Sequence, residues 1–493
     1  MKAPGNAKSP CRTCEFKSQN RDQEHYYYPH TEYNISDLPI RKGLRDTISL
    51  LDDAESEALR TEFGITRSSI LLQLRSIHFP RSFPVDIMHC VLQNIAPMLF
   101  DIWSGRKPKV GGSTSGNSNS GNSNRPPYWS SADDMKDVSA AMVKARPQIP
   151  SYLGHAPRRI DMHYSSFKAA EWKAWLLFFG VPLLDQRLHE EYLANFRVLS
   201  QLYELATRKQ IADEDINRIK DLTQSFVQTF EHLYYYGHPS RISVCTLQIH
   251  SLLHFASYIR DFGPACYFWQ FPMERYCGII KPKARSKSQL SSSLSNAVVI
   301  NEHLNHHHFT CRMMTPQQQL ELPQMPLLLD KFHHQPTAYQ LRGLGYMVSR
   351  QVNTFQSFKR CKLREDLVIG SRESQRAADI NRSSHRICYR ARPGGPTLFG
   401  EVQFFANLSS SEPWAYIKPF SNISIDRLKR VVSYQGTATS KWVQVGRILG
   451  LVGVIHQAGV NLIVTDVDVF ARETTSSNMP PPRFLPAAGS SDV

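Results

Sequence analysis

Residues 249–287 read IHSLLHFASYIRDFGPACYFWQFPMERYCGIIKPKARSK, and the interpretation of the whole chain depends on them. His250 and His254 are four residues apart, so on a helix they lie on one face and can share a metal ion. Glu274 follows twenty residues later among aromatic residues, and a basic run comes next. This combination is typical of an enzyme that acts on a phosphate backbone. The alternative is a buried helix with two hydrogen-bonded histidines and a structural Glu–Arg pair.

The charge of the chain favours a polyanionic partner. Its 493 residues include 58 Lys and Arg against 43 Asp and Glu, a formal net charge of +15. We expect DNA to be that partner, and a basic soluble protein without nucleic acid is the alternative. The candidate phosphate contacts are Arg275, Lys281, Lys283, Arg285 and Lys287. The longest apolar runs are too short to cross a membrane, and the N-terminus has no apolar signal region.

The cysteines predict a metal site rather than a disulfide framework. Nine cysteines in a chain of this length are ordinary for a reducing compartment, and Cys11 and Cys14 form a CxxC pair. Such a pair supplies two thiolates, and tetrahedral zinc needs two more ligands. His25 and His30 are local candidates, whereas His250 and His254 are distant ones. Two free thiols are the alternative.

Periodicity and composition divide the chain into helical, low-complexity and β-rich parts. GGSTSGNSNSGNSN is a flexible linker, helical patterns dominate after it, and short β-branched or aromatic segments from about residue 386 predict an all-β domain, either a barrel or an open sandwich. The predicted parts are 1–106, an N-terminal core; 107–127, a linker; 128–310, a helical region; 311–345, a Gln/Pro-rich linker; 346–473, a β domain; and 474–493, a disordered tail.

A second candidate site lies at residues 83–90, FPVDIMHC. Asp86 is a good N-cap for the helical pattern that follows, in which apolar residues recur at helical spacing. His89 would lie in the first turn of that helix. A cap with an unrelated polar residue is the alternative.

Three of these segments, in this order, resemble the transposases of CACTA (En/Spm-type) DNA transposons, and in detail their fungal members. The resemblance covers roughly residues 5–310, and the C-terminal β segments look like the domain that follows in fungal relatives. The residues that carry it are Ser9-Pro10-Cys11-Arg12-Thr13-Cys14; Val85-Asp86-Ile87-Met88-His89 with Asn94; and Ile249-His250, Leu253-His254-Phe255, Asp261-Phe262-Gly263-Pro264 and Trp269 through Tyr276.

The resemblance implies a fold and a set of site residues. It implies a mainly α chain with a partial RNase H-like α/β core and a large helical insertion, followed by the small C-terminal all-β domain. Glu274 resembles the family's catalytic glutamate, the third carboxylate of a DDE triad that holds two Mg²⁺ ions. Asp86 and His89 resemble its DxxH signature. A bipartite structural Zn²⁺ site, shared with the vertebrate antigen-receptor recombinase, is implied for Cys11, Cys14, His250 and His254.

The chain departs from the family at its start. In the family both catalytic aspartates precede the CxxC, whereas here ten residues precede Cys11 and none is Asp. We therefore expect the C-terminal part of a transposase, either a decayed copy, a gene model begun too late or a domesticated remnant. Mg²⁺ would bind only if the missing aspartates were restored, because one glutamate cannot position two metals.

These observations predict a nuclear, transposase-derived DNA-binding protein, inactive as it stands, that contacts transposon ends or DNA non-specifically and can self-associate. One alternative is an active cut-and-paste transposase whose N-terminal part is missing from the gene model. The other is a non-enzymatic module whose β domain binds chromatin or protein.

Overall fold

The computed structural model describes residues 8–9, 11–20, 26–30, 62, 70–78, 81–106, 128, 130–154, 156–283, 288–313, 326–332, 337–338, 340, 355–364, 367–375, 383–407, 413–426, 430–457, 459–467 and 469. The predicted linker 107–127, the predicted tail 474–493, His25, Arg285 and Lys287 lie outside these residues. None of the helices within them combines the length and apolarity needed to cross a bilayer.

Helices form the centre of the molecule. The α-helices are α1 (Ala96–Trp103), α2 (Ala132–Lys144), α3 (Ile160–His163), α4 (Ala169–Ala174), α5 (Gly180–Leu184), α6 (Glu190–Ala206), α7 (Asp213–Phe230), α8 (Leu247–Leu252), α9 (Phe255–Phe262), α10 (Phe271–Ile280), α11 (Leu290–Met313) and, within the β region, α12 (Arg372–Gln375). Wider π-helical turns occur at Met88–Ile95, Trp175–Phe179 and Glu231–Tyr235.

The apolar pattern after Asp86 is buried, as its helical spacing predicts. Leu92, Ile95, Leu99 and Ile102 are 0% exposed and belong to the main hydrophobic core. Burying four such side chains stabilises the fold by roughly 1.5–3 kcal/mol each. This helix is therefore a rigid base for the two residues at its start, Asp86 and His89.

The apolar pattern of residues 242–262 predicts one helix, but the structure contains two, α8 and α9. The helix is interrupted because the amides of Leu253 and His254 bond to carbonyls three residues earlier. His250 lies in α8, and His254 is the N-cap of α9. Gly263 adopts φ +79°, a left-handed conformation that L-residues rarely take, and so ends α9 where Gly263-Pro264 predicts an end.

The N-terminal segment adds little regular structure. In the described residues before 107, the strands are β1 (Gln19–Asn20) and β2 (Tyr26–Tyr27), which pair with each other in antiparallel fashion. The Tyr28 amide donates to the Cys245 carbonyl over 2.8 Å and so ties this hairpin to the helical core. The RNase H-like sheet that the resemblance implies stays a prediction.

Antiparallel strands make up the C-terminal region, as predicted, and form two sheets. The strands are β3 (Leu327–Phe332), β4 (Gln356–Arg364), β5 (Leu367–Gly370), β6 (Arg386–Arg390), β7 (Thr397–Asn407), β8 (Pro413–Ser421), β9 (Ser424–Asp426), β10 (Val431–Tyr434), β11 (Gly436–Thr437), β12 (Lys441–Gln444), β13 (Ile448–Leu451), β14 (Gly453–Gln457) and β15 (Val460–Val464). One sheet follows the order β14-β15-β10-β9, and the larger one follows β11-β8-β7-β4-β3, with β12 beside β8, β5 beside β4, and β6 between β7 and β13.

Two features differ from the expected boundaries. Strand β3 lies inside the predicted linker 311–345, because the LLLDKF segment pairs with β4 in antiparallel fashion. Helix α11 also continues to Met313.

The smaller sheet packs against the helices. Ile455 and Val464 belong to the main helical core, and the Ser383 amide donates to the Pro147 carbonyl over 2.8 Å. Arg430 pairs with Glu204 across the same boundary. The smaller sheet therefore packs on the helical core, whereas the larger sheet has buried clusters of its own.

Candidate metal centre and the surface around Glu274

The CxxC turn places two thiols in the interior beside α8. Cys11 is 5% exposed and Cys14 is 1% exposed. Between them, the Thr13 hydroxyl lies 2.7 Å from the Tyr258 hydroxyl of α9, which anchors the turn. The local turn and this hydrogen bond together point both sulfur atoms at the α8–α9 bend.

The two distant histidines meet those thiols. His254 Nε2 is 3.3 Å from Cys11 Sγ, and His250 Nε2 is 3.3 Å from Cys14 Sγ. The Nε2 atoms of the two histidines are also 3.3 Å apart. All four ligand atoms lie within 4.8 Å of one another, and all four residues are buried. Of the two candidate pairs of partners for the CxxC, the structure brings in the distant one.

These distances fit a tetrahedral metal ion. With Zn–N bonds of about 2.05 Å and Zn–S bonds of about 2.3 Å, tetrahedral geometry separates two nitrogens by about 3.3 Å and a nitrogen from a sulfur by about 3.5 Å. The observed N–N separation is 3.3 Å, and the two N–S separations are 3.3 Å. A Cys₂His₂ set is a common structural zinc set, so these residues can hold a structural metal ion.

The electrostatics favour the protonation states that a metal requires. Burial raises the pKa of Cys11, but its hydrogen bond with Cys14 and its interactions with His250 and His254 outweigh burial and leave that pKa well below its usual value. Burial lowers the pKa of His250, which favours the neutral imidazole. Thiolate sulfur and neutral imidazole are the forms that bind metals. In contrast, burial raises the pKa of Cys90 and Cys245, which lie outside the group.

Apolar side chains close the centre. The centroids of the Phe16 and His250 rings are 4.6 Å apart, and Phe16 and Tyr28 are each 2% exposed. Together with the two cysteines they form a small separate cluster against Leu247. A closed, four-ligand site of this kind is typical of structural rather than catalytic metal ions.

His30 is the local ligand candidate that lies within the described residues. It lies beside the centre but outside the ligand set. Its Nε2 atom is 2.9 Å from His250 Nδ1, the nitrogen on the far side of that ring from the sulfur atoms. The Nδ1 atom of His30 is 3.1 Å from the carboxylate of Glu231. Sequence reasoning missed Glu231, although a lone carboxylate among the inward positions of an amphipathic helix is a detectable signal.

Asp86 joins two parts of the surface. Its carboxylate accepts from the amides of Met88 at 3.3 Å and His89 at 3.0 Å, which confirms the predicted capping role. It also accepts from the Gln270 amide at 3.0 Å, directly before α10. One side chain therefore fixes the start of two helices that are 184 residues apart in sequence.

Glu274 contacts this junction through His89. His89 Nδ1 lies 2.5 Å from the Asp86 carboxylate, and His89 Nε2 lies 3.5 Å from the Glu274 carboxylate. The side chains of His89 and Glu274 are 41% and 57% exposed. The structure thus brings the DxxH pair and the predicted catalytic glutamate together at a surface that solvent or a ligand can reach.

The described cations of the basic run lie on α10, which carries Glu274, and in the turn that follows it. Arg275 follows Glu274 on α10, and Lys281 and Lys283 lie in the turn that ends the helix. All three are exposed, and Lys283 Nζ donates to Asn301 of α11 over 3.1 Å. Exposed cations along one helix and in the turn that follows it can contact phosphates.

Comparison with known proteins supports part of this picture. A domain family of unknown function, DUF4218, matches residues 208–319, less than half of the chain. No curated protein and no solved structure matches the chain. DUF4218 domains occur in plant transposon-derived proteins, so the matched segment indicates a transposon-related protein. That segment contains His250, His254, Glu274, Lys281 and Lys283.

Proposed function

We propose that this chain is a transposase-derived DNA-binding protein of the CACTA type. The observation that carries the proposal is the Cys₂His₂ group, whose two halves are 236 residues apart at Cys14 and His250. The transposon-related DUF4218 match and the net charge of +15 support it independently.

The metal ion in this proposal is a structural Zn²⁺. Two thiolates and two imidazoles suit zinc better than Mg²⁺ or Ca²⁺, which prefer oxygen ligands. The ion would join residues 11–30 to α8 and α9 and so hold the helices before α10 in place. Its role is architectural, because no ligand position is left open for chemistry.

The DNA-binding surface in this proposal is the end of α10 with its following turn. Lys281 and Lys283 lie there, Arg275 lies near the start of α10, and Arg285 and Lys287 belong to the same run in the sequence. Each phosphate contact formed by such a cation releases a counterion, so affinity falls as salt concentration rises.

Catalysis by the same surface is the second candidate function. The exposed position of Glu274 beside His89 favours it, since a metal-binding carboxylate must be reachable. Two Mg²⁺ ions would need two further carboxylates at Glu274. Within the described residues the Glu274 carboxylate contacts the imidazole of His89, so we place DNA binding first.

Nuclear localisation and self-association belong to the same proposal. The exposed apolar side chains of α10 and α11, among them Met273, Ile279, Ile300 and Leu304, support self-association. Analytical ultracentrifugation of the full chain and imaging of a fluorescent fusion test these two points.

The test of DNA binding is a salt titration with the full chain and a labelled duplex. The double variant Lys281→Ala/Lys283→Ala should weaken binding at every salt concentration and reduce the salt slope by about 2, one unit for each lost phosphate contact. The matched control, Arg218→Ala/Lys220→Ala, removes two exposed cations from α7 and should bind like the wild type.

Equal losses in both double variants would mean that net charge alone drives binding. Wild-type affinity in the Lys281/Lys283 variant would exclude the α10 end as the DNA-binding surface. Absence of DNA binding by the wild type would favour a protein-interaction role for the β region.

A further inference from the structure

We propose that His30 and Glu231 form the outer shell of the metal centre and fix which nitrogen of His250 faces the metal. This inference rests on the metal centre proposed above. It assigns a role to His30, which is outside the ligand set. It also assigns a role to the buried carboxylate of Glu231, which contacts the other ring nitrogen of His30.

The three groups form a continuous line. His250 Nε2 faces the sulfur atoms, and its Nδ1 lies 2.9 Å from His30 Nε2. His30 Nδ1 then lies 3.1 Å from Glu231 Oε1. The two imidazole planes differ by 2° and their centroids are 5.2 Å apart, so the rings are held parallel.

One assignment of protons satisfies every contact in the line. A metal on His250 Nε2 requires that nitrogen to be bare, so His250 Nδ1 carries the hydrogen and donates to His30 Nε2. His30 must then carry its own hydrogen on Nδ1, which donates to the Glu231 carboxylate. An ionised Glu231 is therefore the end point that makes both imidazoles neutral and correctly oriented.

Because all three residues are buried, this assignment of hydrogens to the ring nitrogens is difficult to change. The side chains of His30 and Glu231 are 3% and 5% exposed, and His250 is fully buried. The backbone amide of His30 also donates to Glu231 Oε1, so one carboxylate oxygen holds both the chain and the ring of His30. In such a site water cannot replace a lost partner, and each group depends on its neighbour.

The position of Glu231 in the fold explains how it reaches the centre. Asp213–Phe230 is α7, and the chain then widens into the π-helical turn Glu231–Tyr235. Glu231 continues the inward face of α7, four residues after the buried Val227, and is buried together with Tyr234 and Tyr235. Π-helical turns within helices occur frequently at functional sites.

The energetic consequence concerns metal affinity. Outer-shell partners orient a ligating imidazole and raise its basicity, and their loss costs about 10–100-fold in affinity. We therefore expect the Glu231–His30 pair to tune metal binding while leaving the four ligands themselves unchanged.

The test measures the zinc affinity of the full chain by competition with a chromophoric chelator, without DNA. Glu231→Leu should weaken zinc binding about 10–100-fold. Glu231→Gln retains an oxygen that can accept from His30 Nδ1, so it should recover at least part of that loss. The Co²⁺-substituted chain should show a shifted ligand-field spectrum for Glu231→Leu and a spectrum close to that of the wild type for Glu231→Gln.

A matched control separates a change in zinc affinity from a general loss of stability. Glu171 is another largely buried carboxylate, which pairs with Arg158 and accepts from the Lys168 amide at 2.9 Å, away from the centre. Glu171→Leu should lower stability but leave zinc affinity and the Co²⁺ spectrum unchanged.

The outcomes distinguish this inference from the proposed centre. A wild-type chain that binds no zinc would overturn the metal centre itself. Wild-type zinc affinity and an unchanged Co²⁺ spectrum in Glu231→Leu would overturn the outer shell alone. If Glu231→Leu does not fold, His30→Phe decides, because it removes the acceptor for His250 Nδ1 and should weaken zinc binding to a similar extent.

Discussion

Two carboxylate–imidazole pairs in this molecule have the same chemistry and opposite surroundings. Glu231–His30 is buried, with side chains 5% and 3% exposed, and leads to His250 of the candidate metal centre. Asp86–His89 is more open, with side chains 14% and 41% exposed, and leads to Glu274. Burial turns the first pair into part of a closed structural centre, whereas exposure leaves the second able to meet a ligand.

The two pairs differ because losing a hydrogen-bond partner costs more free energy in the interior than at the surface. In the interior an unpaired donor loses its hydrogen bond without gaining water, so the buried pair holds one arrangement. At the surface water can replace either partner, and an ion pair there is worth about 0–1 kcal/mol. The buried pair should therefore matter for metal binding and stability, and the exposed pair for local geometry.

Removal of the metal should produce the largest effect on stability. It should also distinguish the region of the buried pair from the region of the exposed pair. Chelation of the zinc-loaded chain should lower its thermal midpoint, since structural zinc supplies about 10 kcal/mol or more in small zinc domains. Hydrogen exchange should accelerate at the Tyr28 amide, which bonds to the Cys245 carbonyl.

The control is the His89 amide, which bonds to Asp86 and should keep its protection after chelation. Uniform loss of protection at both amides would show that the metal stabilises the whole fold rather than the N-terminal segment. Protection unchanged at Tyr28 would show that no metal holds that segment.

Substitution at the exposed pair should produce a smaller effect. Asp86→Ala removes the acceptor of three backbone amides, those of Met88, His89 and Gln270, and should lower the free energy of unfolding by about 1–2 kcal/mol. Zinc affinity should not change. Asp86→Asn keeps an acceptor oxygen and should lose less, as urea denaturation can measure.

A matched control is the exposed His189–Glu191 pair, with a 3.8 Å separation and side chains 68% and 53% exposed. Glu191→Ala should change stability by less than about 0.5 kcal/mol. A loss for Glu191→Ala as large as that for Asp86→Ala would contradict a specific joining role for Asp86.

A third carboxylate–imidazole pair should show its effect as a loss of stability in acid. In the β region Glu401 lies 3.7 Å from His385 and pairs with Arg372 and Arg386. Burial raises the pKa of Glu401, but hydrogen bonds from His385 and Arg372 outweigh it and lower that pKa to about 2. Its contribution is therefore complete above the ordinary carboxyl pKa and is lost as pH falls toward 2.

Glu401→Gln should consequently flatten the acid-stability profile between about pH 4.5 and 2. Acid unfolding followed by circular dichroism measures this, with Glu191→Gln as the control at an exposed glutamate. An unchanged acid profile in Glu401→Gln would show that the arginines do not stabilise the ionised carboxylate.

The sequence predicts those parts of the site that local patterns and family order encode. Cys11 and Cys14 are adjacent in the chain, and the spacing of His250 and His254 directs both toward one point. The capping role of Asp86 was also predictable, since it depends on the next few residues. The antiparallel C-terminal region was predictable because short β-branched segments alternate with turns.

Other parts depend on long-range packing that no local pattern encodes. The contact between Glu231 and His30 joins residues 201 apart, and the Gln270–Asp86 bond joins residues 184 apart. The Gln/Pro-rich composition around β3 predicts a linker, whereas its strand conformation depends on pairing with β4 further along the chain. The predicted RNase H-like core stays a prediction.

The most direct test of the account is the metal content of the purified full chain beside three variants. The account predicts one zinc ion per chain, lost in both Cys11→Ser and His254→Ala and retained in Cys277→Ser, whose cysteine lies outside the centre. A wild-type chain without zinc, or zinc retained in His254→Ala, would contradict the claim that one metal ion joins the N-terminal CxxC turn to the helices before Glu274.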